Sequence, residues 1–277
     1  MIGKSDDQLR RWKNPRIKAI KNLIGVIGDK PLPDISADDM LDFRQWWLER
    51  MQSDGLTANV ANKDLIHVGD VLKTVNKMKR LGLDLPLGGL SFKEGDAGTR
   101  PPFSETWIKD KILAPGALDG LNDEARAILL AMINTGARPS ELAALTPECI
   151  RLDHAVPHIS IEAIGRQLKT GNSKRVIPLV GVSLEAVRGF PNGFPRYLGS
   201  SATLSATVNK FLRAQGLTET PDHTLYSLRH SFEDRLLAAG VDERIRRDLF
   251  GHGLNRERYG AGAALAHLRD VVQAVAL

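Results

Sequence analysis

Cysteine is almost absent from this chain, with one residue, Cys149, in 277. A single thiol excludes an internal disulfide and any paired-cysteine metal site, so Cys149 is assigned to packing and the chain to a reducing interior. Tyrosine is nearly as scarce, three residues in all, and aromatic residues make up only 5% of the chain. No apolar run approaches the roughly 20 residues that a membrane span needs. The opening MIGKSDDQLRRWK also lacks the apolar centre of a secretory signal. A cytoplasmic protein that does not engage a membrane is therefore expected. Internal repeats and low-complexity tracts are missing too. His154 and His158 flank Pro157 in strand-like sequence and do not form a helical metal pair. The GKS at residues 3–5 has no preceding glycine or strand, and the glycines at 260 and 262 lack the third member of a dinucleotide fingerprint. Neither a metal nor a cofactor is expected.

What the chain does have is apolar content and positive charge. At 42% hydrophobic it can build a real core, and its length allows two domains. The net charge is +5 with a pI near 9.3. Residues 1–30 hold eight Lys/Arg against three Asp, which accounts for all of that excess. A basic segment of this kind suits a phosphate backbone, although a solvated tail is the commoner origin of a charge run taken alone.

The first part of the chain reads as helical. Ser36 and Asp39 make a capping box ahead of Met40, Phe43, Trp47 and Met51, which trace one face up to Gly55. Over residues 58–81, Ala61, Leu65, Val68, Leu72 and Val75 recur by fours and threes. Lys63, Lys73, Lys77, Lys79 and Arg80 cover the remaining surface, and Gly82 is the expected stop. Residues 1–86 are thus expected to form a small helical domain. Glycine-rich, aperiodic text follows, and 87–103 reads as a linker.

The second domain, 104–277, opens with a helix over Trp107, Ile108 and Ile112. A buried helix is expected from Asn122 to Asn134, broken at Thr135-Gly136. Pro139 then suits the first turn of a helix through Glu141, Leu142 and Leu145. That places Arg138 at a helix N-terminus beside amides that favour anions, or else in a surface ion pair with Glu141. Alternation over His158–Ile161 and the run KRVIPLV from Lys174 give two strands joined across LKTGNSKR, with Lys169 at the lip of the turn.

Residues 226–259, YSLRHSFEDRLLAAGVDERIRRDLFGHGLNRERY, concentrate the polar chemistry. Leu225, Leu228, Phe232 and Leu236 make one apolar stripe, so Arg229 is expected off it, sharing a flank with Tyr226. A second helix is expected from an Asp242 cap to Gly251, presenting His252 on a turn. Seven residues on, Tyr259 precedes the Gly-Ala-Gly run at 260–262.

TGARPSEL at 135–142, the LKTGNSKRVIPL hairpin, YSLRH at 226–230, FGH at 250–252 and ERYG at 257–260 together resemble the tyrosine recombinase (phage integrase) family, in the family's order. The resemblance spans residues 104–277 by motif, and the helical domain resembles the family's core-binding domain by position and type. It implies a mainly α fold in two domains, a helical core-binding domain and an α+β catalytic domain with a small β-sheet, and DNA clamped between them. It implies a site-specific recombinase that cleaves and rejoins double-stranded DNA through a 3′-phosphotyrosine. Arg138 and Arg229 would clamp the phosphate, Lys169 would be the hairpin lysine, His252 the third-box histidine and Tyr259 the nucleophile.

Two positions depart from the family pattern. Tyr226 stands where histidine, sometimes lysine, is usual, leaving it a weaker candidate that can still donate a hydrogen bond to phosphate. The interval from His252 to Tyr259 is also short. The resemblance further implies a homotetramer on paired DNA sites, held partly by C-terminal segments exchanged between neighbours. Leu265, Leu268, Val271, Val272 and Val275 make the apolar face of such a segment, and docking on its own domain is the alternative. No residue specifies a target sequence or an accessory directionality protein. The competing readings are a type IB topoisomerase-like enzyme, a catalytically weakened DNA-binding relative and a helical scaffold with a basic surface.

Overall fold

The structure is a computed structural model that describes residues 3–95, 98, 100–168, 170–254, 257, 260 and 262–277. It divides into two compact units, Asp6–Gly98 and Met1–Ser5 with Thr99–Leu277.

The helical unit contains α1 (Asp6–Ile27), α2 (Ala37–Asp54) and α3 (Ala58–Lys79). The capping box at Ser36 and Asp39 starts α2, and Gly55 ends it in the left-handed conformation. The apolar stripes of α2 and α3 meet Ala19 and Leu23 of α1, so Met40, Phe43, Trp47, Ala61, Leu65, Val68 and Leu72 form one core. Arg80 takes the left-handed cap of α3 at φ 52°, ahead of the expected Gly82. The stretch read as a linker is fastened to α3 over its first half. Asn62 Nδ2 donates to Phe92 O at 2.9 Å while Phe92 N–H donates to Asn62 Oδ1 at 2.8 Å. Leu90 is buried in the same core. Asparagine can act as donor and acceptor together, which is how one side chain pairs an unstructured backbone segment.

The second unit is built around α5 (Asp123–Thr135), which starts on the Asn122 cap. Residues Ala125 through Thr135 of this helix are buried with few gaps, because α7 (Gly181–Arg188) and α9 (Ser227–Ala238) cover it. Its first helix, α4 (Glu105–Trp107), runs on as a wider turn over Ile108–Ile112. The sheet has three antiparallel strands, β1 (Ile150–Arg151), β2 (His158–Ile161) and β3 (Arg175–Pro178), in that order. Ile159 sits at its centre, opposite Ile150 on one side and Ile177 on the other. The short β1 escapes sequence reading, since two residues carry no period. The connection from β2 to β3 runs over 162–174, so it begins several residues ahead of the LKTGNSKR turn read from the sequence.

The remaining elements are α6 (Pro139–Leu142), α8 (Ser201–Ala214), α10 (Glu243–Phe250) and α11 (Leu265–Ala274). Helix α6 stops after one turn, short of Leu145. Of the two placements that the sequence leaves open for the last helix, exchange with a neighbour or docking on its own domain, α11 takes the second in this single chain. Val272 is fully buried, and Asn134 binds both the N–H of Leu277 (3.1 Å) and its carbonyl (2.9 Å). Among the described residues no helix is long and apolar enough to cross a membrane.

Candidate active site

Arg138 is presented by a break in the helices. Helix α5 ends at Gly136, whose φ of +56° favours glycine, and a Cβ there would lie 2.6 Å from Phe232 and 2.8 Å from Phe250. The chain can therefore turn into α6 only at a residue without a side chain. The amide of Arg138 is not left for an anion: it donates to Glu141 Oε2 at 2.7 Å, and Arg138 Nη1 donates to Glu141 Oε1 at 2.7 Å. The ion pair considered from the sequence exists, but it is buried. The Arg138 and Glu141 side chains are only 15% and 5% exposed, so the guanidinium is held in one direction.

Arg229 differs most from expectation. Helix α9 is buried on nearly every side, with Ser227, Arg229, Ser231 and Arg235 covered as well as the apolar stripe. Arg229 thus points inward at 3% exposure. Its Nη1 donates to Gly136 O at 2.5 Å and its Nη2 to Phe250 O at 2.8 Å and His252 Nε2 at 3.1 Å. Tyr226 is the N-cap residue, half-buried beneath the guanidinium of Arg100 and 5.5 Å from the ring of His230.

Helix α10 begins on the Asp242 cap and ends at Gly251 with φ 64°. His252 follows on an exposed turn. A guanidinium can only donate, so the bond from Arg229 requires a lone pair on His252 Nε2 and puts the ring proton on Nδ1. Partial desolvation, then the charges of Arg229, Arg138, Arg247 and Arg175, hold the His252 pKa down at about 4, so the ring is neutral near pH 7. Burial, then the charge of Arg138, lowers Arg229 to about 10, still a cation.

Two further arginines were not singled out from the sequence. Arg175, at the start of β3, donates through Nη2 to Glu141 Oε2 at 2.7 Å and through Nε to Leu249 O at 2.7 Å. Arg166 Nη1 donates to Ser140 O at 2.7 Å, pinning the β2–β3 connection to α6. Burial pushes the Glu141 carboxyl up, but the bonds and charge of Arg175 and the Arg138 amide outweigh it and hold the pKa at about 2. Arg175 lies inside the hairpin motif already quoted, whereas Arg166 precedes it and carries no signal in the sequence.

Arg138, Arg175, Arg229, Glu141 and His252 are thereby brought together, three guanidiniums against one carboxylate. No carboxylate among the described residues pairs with Arg229. Such a site has an excess of fixed positive charge and a neutral imidazole acceptor, the requirements for seating a phosphate and receiving a proton. Lys169 and Tyr259 lie outside the described residues. Gly260, next to Tyr259, has its carbonyl held by Arg244 Nη2 at 3.0 Å. Among the described residues, no group of three or more His, Cys, Asp or Glu is arranged to hold a metal ion.

The sequence matches the profile of the Phage integrase family over residues 117–256. Among curated proteins it is 31% identical over 160 residues to tyrosine recombinase XerC of Agrobacterium fabrum, covering 52% of this chain and 48% of that protein. It is 30% identical over 154 residues to tyrosine recombinase XerD of Halalkalibacterium halodurans, covering 50% and 49%. The chain spans about half the length of the curated relatives it matches. In fold it is similar to the Tn1549 transposon integrase solved with circular intermediate DNA, with a TM-score of 0.61 at 18% identity over 94% of this chain and 88% of that one. It is similar also to λ integrase solved as a dimer on a core site, with a TM-score of 0.64 at 19% identity over 98% and 91%. At these identities the likeness is one of fold.

Proposed function

The chain belongs to the phage integrase family, and on that footing we propose that it is a site-specific recombinase, cutting and rejoining double-stranded DNA through a 3′-phosphotyrosine on Tyr259. The observation that carries this reading is the gathering of Arg138 and Arg175 on the Glu141 carboxylate, beside an Arg229 that has no carboxylate partner among the described residues and donates to a neutral His252. Arg138 and Arg229 bind the non-bridging oxygens of the scissile phosphate and stabilise the charge that builds as the phosphorus becomes five-coordinate. The Tyr259 hydroxyl oxygen attacks phosphorus and the bond to the 5′-oxygen breaks. The phenolic proton passes to His252 Nε2, which is released when Arg229 turns its donor to the phosphate. Lys169 protonates the departing 5′-oxygen. The phosphotyrosine keeps the bond energy for attack by a different 5′-hydroxyl, so no ATP is consumed. Because guanidinium groups supply the charge, the reaction is metal-independent and should survive EDTA undiminished.

The test is a nicked suicide duplex that traps the covalent protein–DNA adduct. Tyr259→Phe should bind the duplex and give no adduct; an undiminished adduct would move the nucleophile elsewhere, with Tyr226 the next suspect. Lys169→Ala should slow cleavage of ordinary DNA far more than of DNA with a 5′-bridging sulfur, which leaves without a proton. Products joining two duplexes, as opposed to relaxation alone, separate a recombinase from a topoisomerase-like enzyme. The proposal includes action in the cytoplasm and assembly as a homotetramer on paired sites, with α11 released from its cis position; native gels on one site and on two read that directly.

A further inference from the structure

We propose that Arg175 is a positioning residue that ties the three separate motifs of the site into one rigid body, an inference that rests on the strand-transfer reading above. Arg175 is 9% exposed, and all three of its nitrogens are engaged. Through Nη1 and Nη2 it grips the Glu141 carboxylate at 3.1 and 2.7 Å. The same carboxylate fixes the amide and the guanidinium of Arg138, each at 2.7 Å. Nη1 also donates to Ser173 O at 2.9 Å, in the connection that carries position 169. Nε donates to Leu249 O at 2.7 Å, in the last turn of α10 before His252.

The turn that bears His252 is seated on this guanidinium. A Cβ at Gly251 would lie 2.9 Å from Arg175 Nη1 and 3.1 Å from both Asn172 O and Ser173 Cα, so the box of His252 and the foot of the hairpin are in direct contact. Arg166, donating to Ser140 O at 2.7 Å, fastens the other side of the hairpin to α6. The phosphate-clamping arginine, the lysine-bearing connection and the histidine turn come from distant parts of the chain; Arg175 closes the second of them at Ser173 O and reaches the first through Glu141 and the third through Leu249 O. A planar fork with fixed donor directions can do this; a lysine, a single charge on a flexible stem, cannot hold the same three acceptors.

A buried ion pair can also be merely structural, and an apolar replacement is then often tolerated. The two roles separate in the kinetics. A positioning role predicts that loosening Arg175 misplaces several reacting groups at once, which slows the chemical step by about 10²-fold for a shift of about 1 Å while leaving binding intact. The experiment is single-turnover adduct formation on the nicked duplex by the full chain, wild type against Arg175→Lys, Glu141→Gln and the double variant, with DNA affinity and melting temperature measured alongside. Both single variants should bind DNA as the wild type does and lose about 10²-fold in rate. The double variant should be no slower than the worse single one, because both act through one connection. Arg175→Lys should recover part of its rate on the 5′-bridging sulfur substrate, where the proton delivered from position 169 is not needed. Wild-type rate in folded Arg175→Lys, additive losses in the double variant, or failure of both single variants to fold would overturn the proposal in favour of a purely structural pair. If wild-type protein forms no adduct, the strand-transfer reading fails first; if it does and Arg175→Lys matches it, only the role of Arg175 falls.

Discussion

The two buried arginines of α9, Arg229 and Arg235, are alike in almost every local respect and differ in what surrounds them. Each is nearly inaccessible, at 3% and 8% exposure, and burial lowers each to about 10. Each lies on an aromatic ring, Arg229 on Phe250 at 4.5 Å and Arg235 on Phe232 at 5.4 Å. Both donate to carbonyls at helix C-termini, where the dipole offsets part of their charge. Arg229 takes Gly136 O and Phe250 O, and Arg235 takes Ile133 O and Val275 O. After burial, however, the next influence on Arg229 is the like charge of Arg138, whereas on Arg235 it is the opposite charge of Glu105. Arg235 is a structural staple between the ends of α5 and α11. Arg229 sits among like charges, with no carboxylate of its own among the described residues.

That contrast can be broken most directly by truncating each arginine to an apolar side chain of similar length. Arg229→Met should cut adduct formation by about 10²–10³-fold, the range for losing one preorganised donor to a developing oxyanion. Arg235→Met should cleave at the wild-type rate. Both should lose about 1–3 kcal/mol in urea titrations, since each leaves buried carbonyls unpaired. An equal loss of rate in Arg235→Met would erase the distinction.

A smaller effect is expected from removing residues 275–277, which takes away the Val275 carbonyl bound by Arg235 and the Leu277 backbone bound by Asn134. Stability should fall by about 1–3 kcal/mol, with adduct formation per folded molecule retained on a single site. Loss of adduct in a protein with wild-type melting behaviour would place the tail in the site itself.

The smallest effect is on titration. The folded pKa of His252 is about 4, below the ordinary 6.5. Its contribution to stability is therefore complete above pH 6.5 and is lost as the pH falls from there through 4, because the unfolded imidazole takes a proton that the folded one resists. Stability curves of wild type and His252→Asn should run parallel above pH 6.5 and converge below it. Arg229→Met should raise the His252 pKa in an NMR titration, and Arg235→Met should leave it where it is. A shift of the same size in both would mean that burial alone sets it.

Helix positions were legible wherever a period and a cap coincided, as at Ser36, Asn122 and Asp242, because those signals are local. The inward direction of Arg229 was misread. It follows Leu225 by four residues and precedes Phe232 by three, so it shares the buried side of the stripe. Phe232 meets the same Gly136 and Phe250 that Arg229 binds; a charge beside an apolar stripe was taken to face outward. Arg175 and Glu141 were hidden for a related reason. Each looked like an ordinary charge on a hairpin or a helix surface, and only tertiary packing makes them partners. The short α6 shows a limit of propensity, since Glu141, a good helix former, is drawn into binding two arginines.

Gly136 carries a consequence for spectroscopy. One of its two α-hydrogens points along the direction in which a side chain would collide with the rings of Phe232 and Phe250, which stack at 5.7 Å and 22°. A proton held against two aromatic rings is displaced in its resonance frequency by their induced currents, and the displacement changes steeply with ring position. The ring of Phe250 is also the one on which the Arg229 guanidinium lies and against which His252 rests, at 6.0 Å between ring centres. The Gly136 α-proton pair should therefore give two widely separated signals in the free protein, and their spacing should change when a phosphate diester draws Arg229 off the ring. The spacing of one backbone proton pair would then time the occupation of the site without a label on the DNA.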